Sequence, residues 1–195
     1  TLFQEIFKGS GSIFSDGRRK GGLKVHMAVP LDEQSPAVMH IGPGADTDLS
    51  FLKYLTLPEG STAIFDRGYR SYPQFNLWTY MGIRWITRLR KQAYYTISEQ
   101  RVIDDKQKEA GVKNDIVVQL GFPQKKTEAV HARIIFYKDP ISKKFLKFLT
   151  NDLESEPIKI AELYAKRWNI ELLFKRLKQN MPLQYYLGDN QNAIK

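Results

Sequence analysis

The sequence predicts an α/β fold whose strand-and-helix core is interrupted by a β-rich insertion. Three observations predict it. Strand-like and helix-like patterns alternate over residues 1–91 in the order β-β-α-β-α-β. Short β-like runs then crowd into 92–150, separated by Lys, Asp, Gly and Pro turns. A long amphipathic helical pattern follows, from about Ile158 to Asn180, and stops at Pro182. The expected organisation is a first core segment over 1–91, an insertion over 92–150 and a second core segment over 151–195.

Taken in order, residues 1–22 read as loop. Gly9-Ser10-Gly11-Ser12 and Asp16-Gly17 lead into the basic run Arg18-Arg19-Lys20 without the G-x-x-x-x-G-K-[ST] spacing of a phosphate loop. Leu23 to Pro30 alternates as a half-buried strand does, and Ala37 to Ile41 reads as its hairpin partner, stopped by Gly42-Pro43-Gly44. Asp46 to Leu57 reads as a short helix, with Leu49, Leu52 and Leu55 near helical spacing and Asp46 or Thr47 as N-cap. Ser61 to Phe65 is a short apolar strand that delivers Asp66 to the Gly68 turn. Tyr72 to Met81 reads as a helix with Pro73 in its first turn. Ile83 to Arg90 alternates and gives a strand with a basic face of Arg84, Arg88 and Arg90. The β-like runs beyond are Tyr94–Ser98, Ile116–Leu120, Ala132–Tyr137 and Lys144–Leu149.

Composition narrows the function classes. The chain has 195 residues, of which 42% are hydrophobic, and 30 Lys+Arg against 21 Asp+Glu leave a net charge of +9. That apolar share suits a globular domain rather than a disordered chain. No apolar run reaches the roughly 18 residues of a membrane helix. The absence of Cys excludes disulfides, thiolate zinc sites and cysteine nucleophiles. The start, Thr1-Leu2-Phe3-Gln4-Glu5, has no signal-peptide pattern and no Met, so a cytoplasmic fragment is the default expectation. The positive charge points toward a nucleic-acid partner.

The richest chemistry lies between 164 and 178, where five basic residues surround the single acid Glu171. At about 100° per residue, Tyr164, Arg167, Glu171 and Lys178 share one narrow arc of an unbroken helix. Leu163, Ile170, Phe174 and Leu177 take the adjacent, core-facing arc. A carboxylate flanked by Arg, Lys and Tyr fits phosphodiester chemistry: a metal offsets the carboxylate charge while the cations hold phosphates. The plain alternative is a solvated helix with one Arg167–Glu171 pair. Asp66 is the second candidate, because active sites of α/β sheets gather at strand C-terminal ends. Trp85 could stack on an unpaired base, although such a Trp is more often core. His26, His40 and His131 match no metal-ligand spacing and read as structural. Trp168 is expected beneath the polyanion-facing row, and the strand arginines are expected to extend a phosphate-tracking surface.

Tyr164, Arg167, Glu171 and Lys178 match the pattern Y-(2)-R-(3)-E-(6)-K without a gap. In this the chain resembles insertion-sequence transposases of the IS-four group, which carry a DDE (Asp-Asp-Glu) catalytic domain. Asp66-Arg67-Gly68-Tyr69 resembles the family's second-aspartate motif, Lys20 to His26 the basic strand after the first aspartate, and Phe148-Leu149-Thr150-Asn151 the segment before the Glu helix. The resemblance spans nearly the whole chain. It implies a ribonuclease H-like core, as in retroviral integrases, with a β-rich insertion between Asp66 and the Glu helix. It implies Asp66 and Glu171 as catalytic metal ligands for Mg2+ or Mn2+, and Tyr164, Arg167, Lys178, Lys175 and Arg67 as DNA-binding residues. The partners it implies are double-stranded DNA and, in the full-length protein, a second copy of the chain. It implies a prokaryotic, nucleoid-associated location.

The family's first aspartate sits on a strand that precedes the region where this chain starts. Glu5 and Asp16 are the carboxylates before the first predicted strand, and both lie in loop-like sequence. The expectation is therefore a core fragment missing its first strand and inactive alone, able at most to bind one metal weakly. The alternative reading is a non-catalytic DNA-binding remnant. A ribonuclease H-like nuclease unrelated to transposition is a third reading, opposed by the gapless signature.

Overall fold

The computed structural model describes residues 23–31, 33, 36–43, 46–121 and 129–180. The readings made over 1–22, Gly44 and 182–195 lie outside the described residues. The chain divides into two compact units, one of residues 57–167 and one formed by 1–56 with 168–195.

The unit 57–167 is built on one six-stranded mixed sheet flanked by helices. Its elements are β3 (Thr62–Ile64), a 3-10 turn (Arg67–Tyr69), α1 (Tyr72–Tyr80), β4 (Arg84–Arg88), β5 (Tyr95–Gln100), α2 (Asp105–Glu109), β6 (Val112–Leu120), β7 (Val130–Lys138), β8 (Phe145–Thr150) and α3 (Pro157–Ala165). The strand order is β3-β4-β8-β7-β6-β5. β3 and β4 pair in parallel, with Ile64 opposite Ile86. Every other pairing in this sheet is antiparallel.

Side chains alternate faces along β4, and this assigns the flanking helices. Trp85 points to one face, where its ring stacks on Phe75 of α1 with centroids 4.2 Å apart. Ile86 points to the other, in a core cluster with Val112, Ile135, Phe148, Ile160, Ala161 and Tyr164. α1 and α3 therefore cover opposite faces. Ser71 caps α1 through the Gln74 amide, and Pro73 sits in its first turn, where a missing N–H costs nothing.

The β-rich stretch expected over 92–150 is present as β5 to β8, and its strands form no sheet of their own. β8 hydrogen-bonds to β4, so its strands continue the sheet that β3 and β4 begin. The reason is burial on both faces: Ile134, Ile135, Phe148 and Leu149 are all sealed, as a central strand requires. β3 stands at one end of the order among the described residues.

In the other unit, β1 (Leu23–Ala28) and β2 (Val38–Pro43) form the expected antiparallel hairpin, with His26 opposite His40. The helix expected over 46–57 is a 3-10 helix, Asp48–Tyr54, entered at Thr47, whose side chain makes no capping bond. Its i→i+3 bonds include Ser50 N–H to the Thr47 carbonyl at 3.0 Å. Phe51 and Leu52 are buried while Leu49 is exposed, so the leucine spacing did not mark a buried stripe. Lys24 ties this helix to the hairpin through Asp48 at 3.2 Å. The helix α4 (Trp168–Asn180) belongs to the same unit.

The single helix expected over 158–180 is thus two helices. Lys166 and Arg167 form a turn between α3 and α4, and the Arg167 amide bonds the Tyr164 carbonyl in an i→i+3 step at 3.1 Å. The shared arc argued for Tyr164 and Glu171 assumed an unbroken helix, and that premise does not hold.

Candidate active site

The parallel register of β3 and β4 builds the site. Because Ile64 sits opposite Ile86, the residues two further along, Asp66 and Arg88, fall side by side on the α3 face. Phe65 points the other way, with its ring 5.6 Å from those of Phe75 and Trp78. Asp66 then caps the Arg67–Tyr69 turn, its Oδ1 accepting from the Arg67 amide at 2.8 Å. The same Oδ1 meets the Arg88 guanidinium at 3.3 Å. Among the described residues no hydrogen bond reaches Oδ2.

Tyr164 comes down on this pair from α3. Its ring lies 5.1 Å from that of Phe148. The Arg88 guanidinium stands 6.0 Å from the ring and that of Arg167 5.7 Å, both within cation–π reach. Asp66, Arg88, Tyr164 and Arg167 thus come together although they derive from three separate segments. Tyr164 is only 6% exposed, and its hydroxyl oxygen is buried beside the Arg88 guanidinium. This revises the expectation that Tyr164 lies in a DNA-facing row. It is part of the core and serves as a platform under two cations.

The electrostatics follow from that arrangement. Burial pushes the Asp66 carboxyl up, but the Arg67 amide and the charges of Arg88 and Arg167 outweigh it and hold the group below the ordinary aspartate range. The carboxylate is therefore ionised at neutral pH. Burial pushes the Tyr164 phenol up, against the pull of Arg88 and Arg167. The ring stays a neutral phenol.

Arg67, expected to bind DNA, has an exposed side chain, and its part in the site is its backbone amide. Glu171 and Lys175 lie on α4 in the other unit, where they line an open depression with Phe174 and Gln179 along one helix face. Lys178 lies in α4, but its side chain is outside the described residues. Among the described residues, no three His, Cys, Asp or Glu side chains come together as a metal would require. Asp66 by itself has the donor chemistry for a hard divalent cation, being an ionised carboxylate, 47% exposed, whose Oδ2 takes no hydrogen bond from the described residues. The Arg88 charge beside it opposes such a cation.

The match to known proteins is decisive at this point. The family model for the transposase DDE domain matches residues 4–188. The chain belongs to the transposase DDE domain family. The transposase domain is 28% identical over 186 residues to a protein of Sinorhizobium fredii named as a transposase, y4zB, covering 93% of this chain and 51% of that protein. It is also 28% identical over 183 residues to a Synechocystis protein named as the transposase of insertion sequence element IS4SA, covering 88% and 48% respectively. A third relative, named for insertion sequence element IS5377 of Geobacillus stearothermophilus, aligns at 27% over 85 residues, 44% of this chain and 22% of that protein. The transposase domain spans about half the length of the two longer matches.

Other side chains of the transposase domain depart from their sequence readings. Trp85 is fully buried and donates its indole N–H to Thr79, so it cannot stack on a base. Arg84 pairs with Asp152 at 3.7 Å and Glu154 at 3.9 Å, and Arg88 with Asp66, so of the three arginines expected on a phosphate-tracking face Arg90 alone has no ion pair among the described residues. Trp168 is 57% exposed rather than packed under neighbouring side chains. The histidines are structural: His26 stacks on Phe51, His40 on Tyr54, and His131 meets Gln119 at 2.9 Å. Sequence reading missed the buried pair Asp115–Arg133, bonded at 2.6 and 2.8 Å. A lone Asp and Arg in two apolar β-like runs was the signal available.

Proposed function

We propose that this chain contributes Asp66 and Glu171 to a divalent-metal centre that hydrolyses phosphodiester bonds and transfers DNA strands at transposon ends. The observation that carries this reading is the convergence of Asp66 with Arg167 and Tyr164. Two segments far apart in sequence, both inside the span that the transposase family model matches, supply one anion–cation cluster at a strand C-terminal end. Mg2+ or Mn2+ held by such carboxylates stabilises charge on the attacking and leaving oxygens. Arg167, Arg67, Lys175 and Lys178 supply phosphate contacts on double-stranded DNA, and Tyr164 positions Arg167 from below. Two DNA ends call for two copies of the full-length protein.

A second reading, a non-catalytic DNA-binding remnant, is favoured by one observation: Asp66 is already paired with Arg88. One titration separates the two. Mn2+ is added to the 195-residue chain and followed by water-proton relaxation, beside the Asp66→Asn and Glu171→Gln variants. The metal reading expects saturable binding that weakens about tenfold or more in each variant, the loss of one charged ligand. Equal binding in all three proteins, with salt-sensitive duplex binding retained, overturns it and establishes the remnant reading.

A further inference from the structure

We propose that Arg88 is a displaceable counter-ion of Asp66, a built-in competitor that a divalent cation must drive off the carboxylate before Asp66 can serve as a ligand. The inference rests on the metal reading of Asp66 and adds a residue that neither sequence motif contains.

The Arg88–Asp66 pair has the features of an exchangeable contact. One guanidinium nitrogen meets one oxygen at 3.3 Å, both Asp66 bonds fall on Oδ1, and the two side chains are 29% and 47% exposed. Such single-point, partly wet pairs hold weakly. The chain also shows what a permanent pair looks like. Arg133 grips both oxygens of Asp115 at 2.8 and 2.6 Å, the two side chains are 3% and 4% exposed, and its remaining nitrogen bonds the Asp152 and Ser155 carbonyls. Arg88, in contrast, reaches the Tyr164 side chain but leaves its Nε buried with no hydrogen-bond partner among the described residues. A guanidinium normally fills its donors when it is structural.

Geometry makes the exchange local. Strand register fixes the two backbones side by side, so separating the pair requires only side-chain rotation. The Tyr164 ring beneath gives the guanidinium an aromatic face to rest on once it leaves the carboxylate. A cation arriving at Asp66 meets the positive charge of Arg88 and has to displace it.

The test reads metal affinity, with no activity involved. Mn2+ is titrated at pH 7 and fixed ionic strength into the wild-type chain and the Arg88→Met, Arg88→Lys and Asp66→Asn variants, with folding checked by circular dichroism. Arg88→Met is expected to bind Mn2+ about fivefold tighter or more, because one repelling charge is gone. Arg88→Lys keeps the charge and is expected to stay within about twofold of wild type. Should Arg88→Met fail to fold, Arg88→Gln carries the same expectation. Affinity unchanged or weakened in the neutral variant, while Asp66→Asn abolishes binding, overturns the competitor role and leaves Asp66 a ligand. Binding unaffected by Asp66→Asn overturns both, because Asp66 is then no ligand.

Discussion

Arg133 and Asp115 show how much a single buried pair can carry. Their side chains face α3 across β6 and β7, and Arg133 reaches on to the Asp152 and Ser155 carbonyls in the loop that starts α3. Asp152 in turn accepts the amides of Glu154 and Ser155. Removing Arg133 strands a buried carboxylate and frees that loop. Arg133→Met is expected to cost about 3–5 kcal/mol of stability in urea unfolding, whereas the double change Arg133→Met with Asp115→Leu recovers most of it. At this scale the sequence was partly legible. Asp66 stood out by its place after an apolar run, and it is in the cluster. Arg88 was read as a surface cation, because alternation marks which face a residue takes and says nothing of what waits there. Tyr164 was read into the DNA-binding row because helical spacing gives an angle but not a burial depth.

Element boundaries depend on local chemistry that pattern reading catches well. Both strands of the hairpin, α1 and β7 lie within about two residues of where the pattern placed them, whereas β6 starts at Val112, ahead of the expected Ile116. α2 escaped notice because five polar residues have no apolar stripe, although Asp104 and Gln107 form a reciprocal cap. The α3–α4 break escaped too, since nothing in Lys166-Arg167 resembles a helix breaker. Gly111 joins α2 to β6 with φ of 109° and lies against the Lys138 carbonyl and the Tyr137 ring, which a Cβ would strike. Gly111→Ala is expected to cost about 1–3 kcal/mol from backbone strain alone and more from the clash, read as a lowered urea midpoint. The same change at Gly60, also at positive φ but in open space, shows the strain without the clash.

For the whole molecule, the charge pattern predicts an acid-sensitive fold. Burial pushes the Asp152 carboxyl up, but the Ser155 and Glu154 donors and the Arg84 charge prevail and hold it low, as the surroundings of Asp66 do for that residue. Both carboxyls bind protons less readily folded than unfolded. Their stabilisation is therefore complete above the ordinary aspartate value of about 3.9 and is lost as pH falls from there through the lower folded values. Burial likewise lowers the His26 pKa, against Asp48 and Asp46 and with Lys24 and His40, so the other unit begins to lose stability as pH falls below about 6.5. Denaturation profiles from pH 7 to 3 are expected to show a shallow decline that Asp152→Asn and His26→Phe each alter in its own range; a flat profile contradicts the assignment. The α/β class was legible from the order of patterns, while the continuity of the sheet was not, because hydrogen-bond partners across long sequence distances leave no local trace.

The Ile64–Ile86 register has a further consequence. A slip of one residue would send Asp66 to the Phe75 side of the sheet, and a slip of two would carry it about 6–7 Å away from Arg88. The cluster thus behaves as a combination lock rather than a dial: strand pairing either seats it or leaves it open. Insertions within β3 or β4 should erase the site outright, whereas those placed in the crossover between them can be absorbed without any graded loss.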